Sequence, residues 1–339
     1  MSMCHPSQHR SRTGAALLLG LVVLMLLFGG CSTATPKVYH VGILTDNASF
    51  VDVGKGFKAK MTELGYIEGK NILYVEKLSG TDTTEEQRAA QELVDAKVDL
   101  ILAYPAPPIV AAKAATQAGQ LPVVFAYAQL EGSNLVKSVR EPGGNMTGVR
   151  YPGPELVARR LELLLEMAPQ VKRVWIGYNK NGPNTQATLD ALRPAVAKLG
   201  ITLVECPATT MDDIVADLAA RGKATDIGLD AILGMPDSFN TAQANFAVLS
   251  KFAAAHKVPV ASSVASSLQQ GALFVNGTDL TNLGALAAPL ADKVLKGTPV
   301  GTIPVVSPEQ TLLINLRVAQ QLGLTVPQGL LEMANQVIK

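Results

Sequence analysis

Cysteine is scarce in this chain, with only three among 339 residues: Cys4, Cys31 and Cys206. Cys4 and Cys31 belong to an amino-terminal leader described below, so Cys206 is alone in the remainder of the chain and has no partner for an intramolecular disulfide. An unpaired thiol is most readily tolerated when it is buried. Cys206 follows an apolar segment at 201–204, and we expect it to have a structural role.

An excess of charge of either sign is also missing. The chain has 29 basic and 28 acidic residues, and charged residues make up only 17% of the sequence. It lacks the basic stripe of a nucleic-acid-binding domain and the polybasic patch that attracts anionic lipids. We therefore expect no nucleic-acid partner. Hydrophobic residues make up 48%, which allows a large core, and the length suits two domains.

Enzyme motifs are absent from the sequence. The segment Gly54-Lys55-Gly56 lacks the spacing of a phosphate-binding loop, no GxGxxG follows the first predicted strand, and no GxSxG elbow occurs. Beyond the leader, His40 and His256 have no neighbours at metal-ligand spacing. We expect a protein without catalytic residues, without a cofactor and without a metal site, so not an enzyme.

No apolar run reaches the length of a membrane span. The most apolar segment, 15–30, has sixteen residues, whereas crossing a bilayer takes about 20. It follows Arg10 and Arg12 and ends in Gly29 and Gly30, as in a secretory signal. The junction at Cys31 resembles the lipobox of bacterial lipoproteins. That resemblance implies a signal peptide at 1–30, a lipid on Cys31 and a lipidated linker at 31–37; an uncleaved anchor or ordinary secretion remain alternatives.

From residue 38 onwards, short apolar strands alternate with amphipathic helices, which is typical of an α/β fold with parallel sheets. The runs are continuously apolar, as expected when helices cover both faces of a sheet. A break at 141–148 separates two such series, and a final helical region is predicted from about residue 314. We therefore predict two doubly wound parallel-sheet lobes. The strands are predicted at 38–45, 71–76, 99–104, 121–126, 171–178, 201–205, 230–234, 258–261 and 272–275.

Polar and aromatic residues follow strand after strand of this pattern. In open α/β sheets ligands bind at the carboxyl ends of the strands, and such side chains orient a small molecule by hydrogen bonds and stacking. Each residue has an alternative role in forming a turn. The candidate ligand-binding residues are Asp46, Ser49, Phe50, Tyr104, Pro105, Tyr127, Asn179, Asn184, Asp237, Ser262 and Asn276.

Some of these residues suggest specific roles. The backbone N–H groups of Ser49 and Phe50 would hold a carboxylate at a helix start, unless Ser49 is only a helix cap. Asp237 would pair with a ligand ammonium, unless it caps the following helix. Tyr104 and Tyr127 would enclose an apolar or aromatic ring, unless both only pack at the rim.

At this level of detail the sequence resembles the substrate-binding lipoproteins of ABC transporters, of the tryptophan- and tyrosine-binding type. The resemblance covers residues 38–338 and includes a PGGN-x-TG segment within 141–149. The matching stretches, in order, are VGIL, LGYIEGKNI, DLILAYPAPPIVAAKAATQ, LPVVFAYA, EPGGNMTGV, KRVWIGYN, DAILGMPD, GALFVNGTDL, ADKVLKGTPVGTIPV and LLINLRVAQQLGLTVP.

The resemblance implies a type I periplasmic-binding-protein fold with three crossovers between lobes, at about 148–151, 276–278 and 303–306. The implied domains are an N-lobe at 38–148 plus 279–303 and a C-lobe at 151–276 plus 306–339.

The resemblance also implies a lipid-anchored monomer on the periplasmic side of a cell membrane. It would pass a small solute, best described as an aromatic or other amino acid, to permease and ATPase subunits. One alternative is a receptor module of the same fold that signals to a kinase or cyclase. A racemase or hydrolase is a third possibility, disfavoured by the missing acid/base pairs.

Overall fold

A computed structural model describes residues 1–4, 37–117 and 121–339. Residues 1–4 are irregular and exposed. The rest of the predicted signal peptide, the lipidation residue Cys31 and the linker up to residue 36 lie outside the described residues. Val38–Lys339 forms one compact unit, which contains every helix and strand given below. Among the described residues, no helix combines the length and the apolar character that a membrane span requires.

The N-lobe, as the structure has it, is a five-stranded sheet with helices on both faces. The strands are β1 (Tyr39–Thr45), β2 (Ile72–Leu78), β3 (Leu100–Ala103), β4 (Val123–Ala128) and β5 (Met146–Arg150). They are all parallel, in the order β2-β1-β3-β4-β5. The helices are α1 (Val51–Glu63), α2 (Thr83–Asp95), α3 (Ala106–Thr116) and, from much later in the chain, α10 (Leu280–Leu295).

The C-lobe is built on a seven-stranded sheet in the order β12-β11-β10-β9-β8-β6-β7. Its strands are β6 (Arg173–Asn179), β7 (Thr202–Ala208), β8 (Ala231–Leu233), β9 (Val260–Ser262), β10 (Phe274–Gly277), β11 (Thr311–Asn315) and β12 (Gln336–Ile338). Its helices are α4 (Gly153–Met167), α5 (Thr185–Lys198), α6 (Met211–Arg221), α7 (Ser238–Thr241), α8 (Gln243–His256), α9 (Ser266–Gln269), α11 (Leu316–Gln321) and α12 (Gln328–Met333).

The predicted fold class, an α/β protein of two parallel-sheet lobes, is confirmed, with two local corrections. The expected break at 141–148 contains a strand, because the turn at Gly143 and Gly144 leads directly into β5. The region expected to be helical from residue 314 begins with β11, which pairs antiparallel to β10. Mixed sheets of this kind, parallel with an antiparallel strand towards one side, are common in doubly wound folds.

Helix α10 belongs to the N-lobe because two glycines allow it to pack closely against α1. A Cβ atom on Gly56 would lie 2.0 Å from the carbonyl oxygen of Thr281, and one on Gly284 would lie 1.9 Å from that of Val53. Only glycine permits this approach of two backbones. The contact fixes α1, whose first turn borders the cleft, against the N-lobe core.

The chain passes between the lobes three times: after β5, after β10 and before β11. The first passage follows Arg150, because residues 148–150 still belong to β5. The third follows Val306, because the Val306 N–H donates to the carbonyl of Gly148 at 2.9 Å, and this places the predicted segment 303–306 in the N-lobe.

Candidate ligand-binding site

A cavity lies between the lobes at the carboxyl ends of the parallel strands. On the N-lobe side it is formed by residues that follow β1 and β3 and by the end of β4; on the C-lobe side it is formed by residues that follow β6 and β8. Its lining residues are Asp46, Phe50, Pro105, Ala106, Pro107, Tyr127, Asn179, Gly182, Pro183, Asn184, Thr185, Thr188, Met235, Pro236, Asp237, Ser238 and Thr241.

The N-lobe wall of the cavity is aromatic. Tyr127 has a φ of 64° and lies at an irregularity in the pairing of β4 with β5. A bulge of this kind changes the direction of a side chain. The Tyr127 ring stacks on Tyr151 with centroids 4.2 Å apart, and Phe50 packs edge-on against it at 5.0 Å. Stacked and edge-on pairs hold one another in fixed orientations, so the wall is rigid.

Asp46 places a buried carboxylate beside this aromatic wall. The residue is only 2% exposed, and its Oδ1 accepts a hydrogen bond of 2.7 Å from the side-chain amide of Asn47. Burial raises the pKa of Asp46 to about 7. Glu86 of α2 is close behind it, and burial together with the charges of Asp46 and Asp82 raises the pKa of Glu86 to about 7 as well.

The C-lobe wall contains the second carboxylate, Asp237. Its Oδ2 accepts a hydrogen bond from the Asn179 backbone N–H at 3.0 Å, and its Oδ1 accepts one of 2.7 Å from the Asn240 side chain. The same Oδ1 caps α7 by accepting from the Asn240 N–H at 3.2 Å. Burial raises the pKa of Asp237. The two roles considered from sequence therefore coexist: Asp237 caps a helix and lines the cavity.

The start of α5 lies on the same side as Asp237. Asn184 is the N-cap of this fourteen-residue helix, and Thr185 and Thr188 of its first turn also line the cavity. In this turn the Thr185 N–H donates to the Gly182 carbonyl at 3.2 Å and the Thr188 N–H to the Asn184 carbonyl at 3.1 Å. The N–H groups of Gln186 and Ala187 remain as the orphan donors of the first turn, and the helix dipole favours a negative charge beside them. This end of the cavity therefore suits an anionic group.

The side chain of Gln129 connects the two lobes beside the cavity. Gln129 follows β4 and is fully buried. Its Oε1 accepts a hydrogen bond of 3.2 Å from the Thr188 hydroxyl, and its Nε2 donates to the Asn184 carbonyl at 3.5 Å. A Cβ on Gly153 would lie 2.0 Å from that Oε1. Gln129 thus bridges the two lobes through neutral hydrogen bonds.

Seven of the residues predicted from sequence line the cavity, and four do not. Those that line it are Asp46, Phe50, Pro105, Tyr127, Asn179, Asn184 and Asp237. Those that do not are Ser49, Tyr104, Ser262 and Asn276.

The proposed carboxylate site at Ser49 and Phe50 is corrected by the structure. The Ser49 N–H donates to the Asn47 side chain at 2.9 Å, and the Phe50 N–H donates to the Asn47 carbonyl at 3.3 Å. Both donors are therefore already engaged within the turn, and Asn47 rather than Ser49 is the cap. Phe50 contributes its ring to the cavity instead.

The proposed sandwich of Tyr104 and Tyr127 is also corrected. Tyr104 is 2% exposed in the N-lobe core, and its hydroxyl lies against α1, where a Cβ on Gly54 would come within 2.6 Å. It therefore does not line the cavity. The aromatic partner of Tyr127 is Tyr151, which follows the first passage between lobes and which no sequence pattern identified.

Ser262 and Asn276 are buried at the ends of β9 and β10, away from the cavity. The backbone carbonyl of Asn276 accepts two hydrogen bonds, of 3.2 and 2.8 Å, from the buried guanidinium of Arg160. Arg160 also donates to the Gly234 carbonyl and to the Tyr151 hydroxyl. These strand ends therefore support the connections between lobes.

The family model for ABC transporter substrate binding proteins matches residues 40–338. The chain belongs to this family. This substrate-binding protein is similar to the tyrosine-binding protein of Clostridioides difficile (strain R20291), with 28% identity over 90% of both chains.

Two solved structures of similar sequence have the same fold. One is an ABC domain of Streptococcus pneumoniae in complex with L-Trp, 25% identical, covering 89% of this chain and all of its own, with a TM-score of 0.80. The other is the ligand-free, open structure of a substrate-binding protein with adhesive properties from Clostridium difficile, 26% identical, covering 89% and 99%, with a TM-score of 0.65.

The fold and function that the resemblance implied are thereby confirmed. The substrate-binding protein has the type I periplasmic-binding-protein fold and is the extracytoplasmic solute-binding component of an ABC importer. Its partners are a small-molecule ligand and the membrane subunits of that transporter. The family and its structural neighbours bind solutes.

Proposed function

We propose that the cavity between the lobes binds an aromatic amino acid and releases it, chemically unchanged, to the permease. The observation that carries this proposal is the pairing of a carboxylate with a helix start in the C-lobe, opposite an aromatic wall in the N-lobe. The tyrosine-binding and Trp-bound relatives support the same ligand class.

In this proposal the C-lobe binds the amino-acid backbone. Asp237 accepts the ammonium group, since a charge-assisted hydrogen bond to a carboxylate is strong in a desolvated site. No lysine, arginine or histidine is among the cavity-lining residues of the described chain. The α-carboxylate therefore binds at the start of α5, where N–H groups and the helix dipole replace an ion pair.

The N-lobe binds the side chain of the ligand. Phe50, Tyr127 and Pro105 present flat, largely buried surfaces towards the cavity. A planar ring stacked on such a surface adds about 0.5–1.5 kcal/mol to the free energy of burying its area.

We also propose that the lobes close around the ligand by rotation about the three connecting segments. The rigid bodies are the N-lobe at 38–150 plus 279–306 and the C-lobe at 151–276 plus 307–339. The higher TM-score with the Trp-bound relative than with the ligand-free, open one supports a closed arrangement for the present structure. Gln129 stabilises it through its contacts with α5.

The leader completes the proposal. A signal peptide at 1–30 and a lipid on Cys31 would keep a monomeric binding protein beside its permease, and the linker at 31–37 would leave both lobes free to move. Replacement of Cys31 by Ser is expected to move the protein from the membrane to the soluble fraction while ligand affinity stays unchanged. Retention in the membrane fraction would contradict the lipid anchor.

Mass spectrometry of the solute that co-purifies with the protein tests the ligand class. An aromatic amino acid in stoichiometric amount is the expected result. A sugar or another non-aromatic solute bound in the same amount would overturn the proposal.

A further inference from the structure

The two carboxylates that face the cavity are in unequal surroundings. Asp237 lies in the C-lobe, bonded to the Asn179 N–H and on the same side as the start of α5. Asp46 lies in the N-lobe close to a second acidic residue, Glu86, whose pKa is raised in part by the charges of Asp46 and Asp82. These acidic side chains disfavour binding of a ligand carboxylate at the N-lobe end of the cavity.

The helix start on the N-lobe side offers no alternative anion site. Helix α3 begins at Ala106 and has proline at its next two positions, Pro107 and Pro108. Proline has no backbone N–H, so two of the donors that a helix start normally presents are missing. The α-carboxylate of an amino acid is thereby directed to the C-lobe.

This asymmetry determines the orientation of the ligand. The ammonium and carboxylate groups of an amino acid share one carbon atom, so the acid that binds the ammonium must lie beside the site for the carboxylate. Asp237 lies on the same wall as the start of α5, whereas Asp46 lies on the opposite wall. The ring then points into the N-lobe, towards Phe50, Tyr127 and Asp46.

A bare hydrocarbon ring in that position would offer Asp46 no hydrogen bond. The Asp46 carboxyl group is 2% exposed and accepts hydrogen bonds from the Asn47 side chain and from the backbone N–H groups of Asp46 and Asn47, all on its protein side. A closed cleft would remove the remaining water from it, and a buried carboxyl group that faces an apolar surface loses the hydrogen bonds that this water supplied. A ring that carries an O–H or N–H group supplies such a bond.

We propose that Asp46 is a specificity-determining residue that accepts a hydrogen bond from a donor on the ligand's aromatic ring. The ligand is then a phenol- or indole-bearing amino acid, and phenylalanine is rejected. This inference rests on the proposed function, because it assumes that an aromatic amino acid binds with its ammonium at Asp237. A site built to receive a ring donor discriminates strongly against the analogue that lacks it.

The test is calorimetric titration of the purified full chain with L-tyrosine, L-tryptophan and L-phenylalanine. We expect at least one ring-donor ligand to bind about 100-fold or more tightly than L-phenylalanine. If L-phenylalanine binds within about tenfold of the better ring-donor ligand, the inference is overturned while the proposed function stands. If none of the three binds, the proposed function fails together with the inference.

Variants of Asp46 separate the ring site from the ammonium site. Asp46→Ala is expected to lower the affinity for the ring-donor ligand to near that for L-phenylalanine and to leave L-phenylalanine unaffected. Asp46→Asn, which keeps one acceptor oxygen, is expected to recover part of the preference. Equal losses for all three ligands would assign the ammonium to Asp46 and overturn the inference. Asp52→Asn, at a half-exposed position on α1, is the matched control and should behave like the unsubstituted protein.

Discussion

The carboxylate of Asp237 accepts a hydrogen bond of 3.0 Å from the backbone N–H of Asn179, and this bond joins the loop after β8 to the end of β6. The two strands are neighbours in the C-lobe sheet, and both residues line the cavity. The bond fixes the carboxylate at the position where a ligand ammonium is proposed to bind.

Replacement of Asp237 by Asn is expected to weaken amino-acid binding by about 2 kcal/mol or more, because a buried partner of a charged group is lost. Asn keeps one acceptor oxygen for the cap of α7 but turns an NH2 donor towards the Asn179 N–H, so some stability should be lost as well. Calorimetry and thermal unfolding measure the two effects separately. Asp212→Asn, at an exposed position of α6, is the control. Unchanged affinity in Asp237→Asn would show that Asp237 does not bind the ammonium group of the ligand.

Replacement of Gln129 by Ala is expected to weaken binding by about 1–2 kcal/mol, since two hydrogen bonds between the lobes are lost and each contributes about 0.5–1.5 kcal/mol. The loss should appear as a faster ligand dissociation rate in stopped-flow fluorescence. Gln91→Ala is a suitable control, because Gln91 is exposed on α2 and bonds only to Asp95 of the same helix. Equal rates in both variants would show that Gln129 does not stabilise closure.

Replacement of Tyr104 by Ala is expected to lower the free energy of unfolding by about 3–5 kcal/mol, as for other large aromatic residues in a core. Chemical denaturation measures this loss. The remaining folded protein should bind ligand with normal affinity, because Tyr104 does not line the cavity. A loss of affinity at unchanged stability would show that Tyr104 takes part in ligand binding.

Stability is expected to fall as the pH rises from about 4 to about 7. Burial raises the pKa of Asp46 and of Glu86 to about 7 in the folded protein. In this interval the folded state therefore retains protons that the unfolded chain has released. The free energy of unfolding consequently decreases as the pH rises. The free energy of unfolding should decline by about 3 kcal/mol for each of the two groups across the interval. Asp46→Asn should flatten the decline in denaturation curves measured from pH 4 to 8; an unaltered slope would assign the effect to other groups.

The residues that the sequence predicts at strand ends line the cavity where neighbouring strands meet the cleft. Asp46 and Pro105 follow β1 and β3, and Asn179 is the last residue of β6; parallel strands bring their carboxyl ends to one edge. Ser262 and Asn276 satisfy the same rule but do not line the cavity, and the Asn276 carbonyl at the end of β10 instead accepts from the buried guanidinium of Arg160. Strand order distinguishes these cases, and a single sequence does not give strand order.

Other features of the site depend on contacts between distant parts of the chain. Tyr104 and Pro105 are adjacent, yet the Tyr104 side chain enters the N-lobe core and Pro105 lines the cavity. Gln129 and Tyr151 lie in segments without a periodic pattern, and their roles come from contacts with Thr188 and Tyr127. Such contacts exist only once both lobes are assembled.

The most direct test of the proposed ligand and its site is a calorimetric titration of the purified protein with aromatic amino acids. The Asp237→Asn variant is titrated in parallel. Saturable binding of one aromatic amino acid per chain, strongly weakened in Asp237→Asn, is the expected result. No heat of binding and no thermal stabilisation with any aromatic amino acid, in protein freed of co-purified solute, would contradict the proposed ligand and its site.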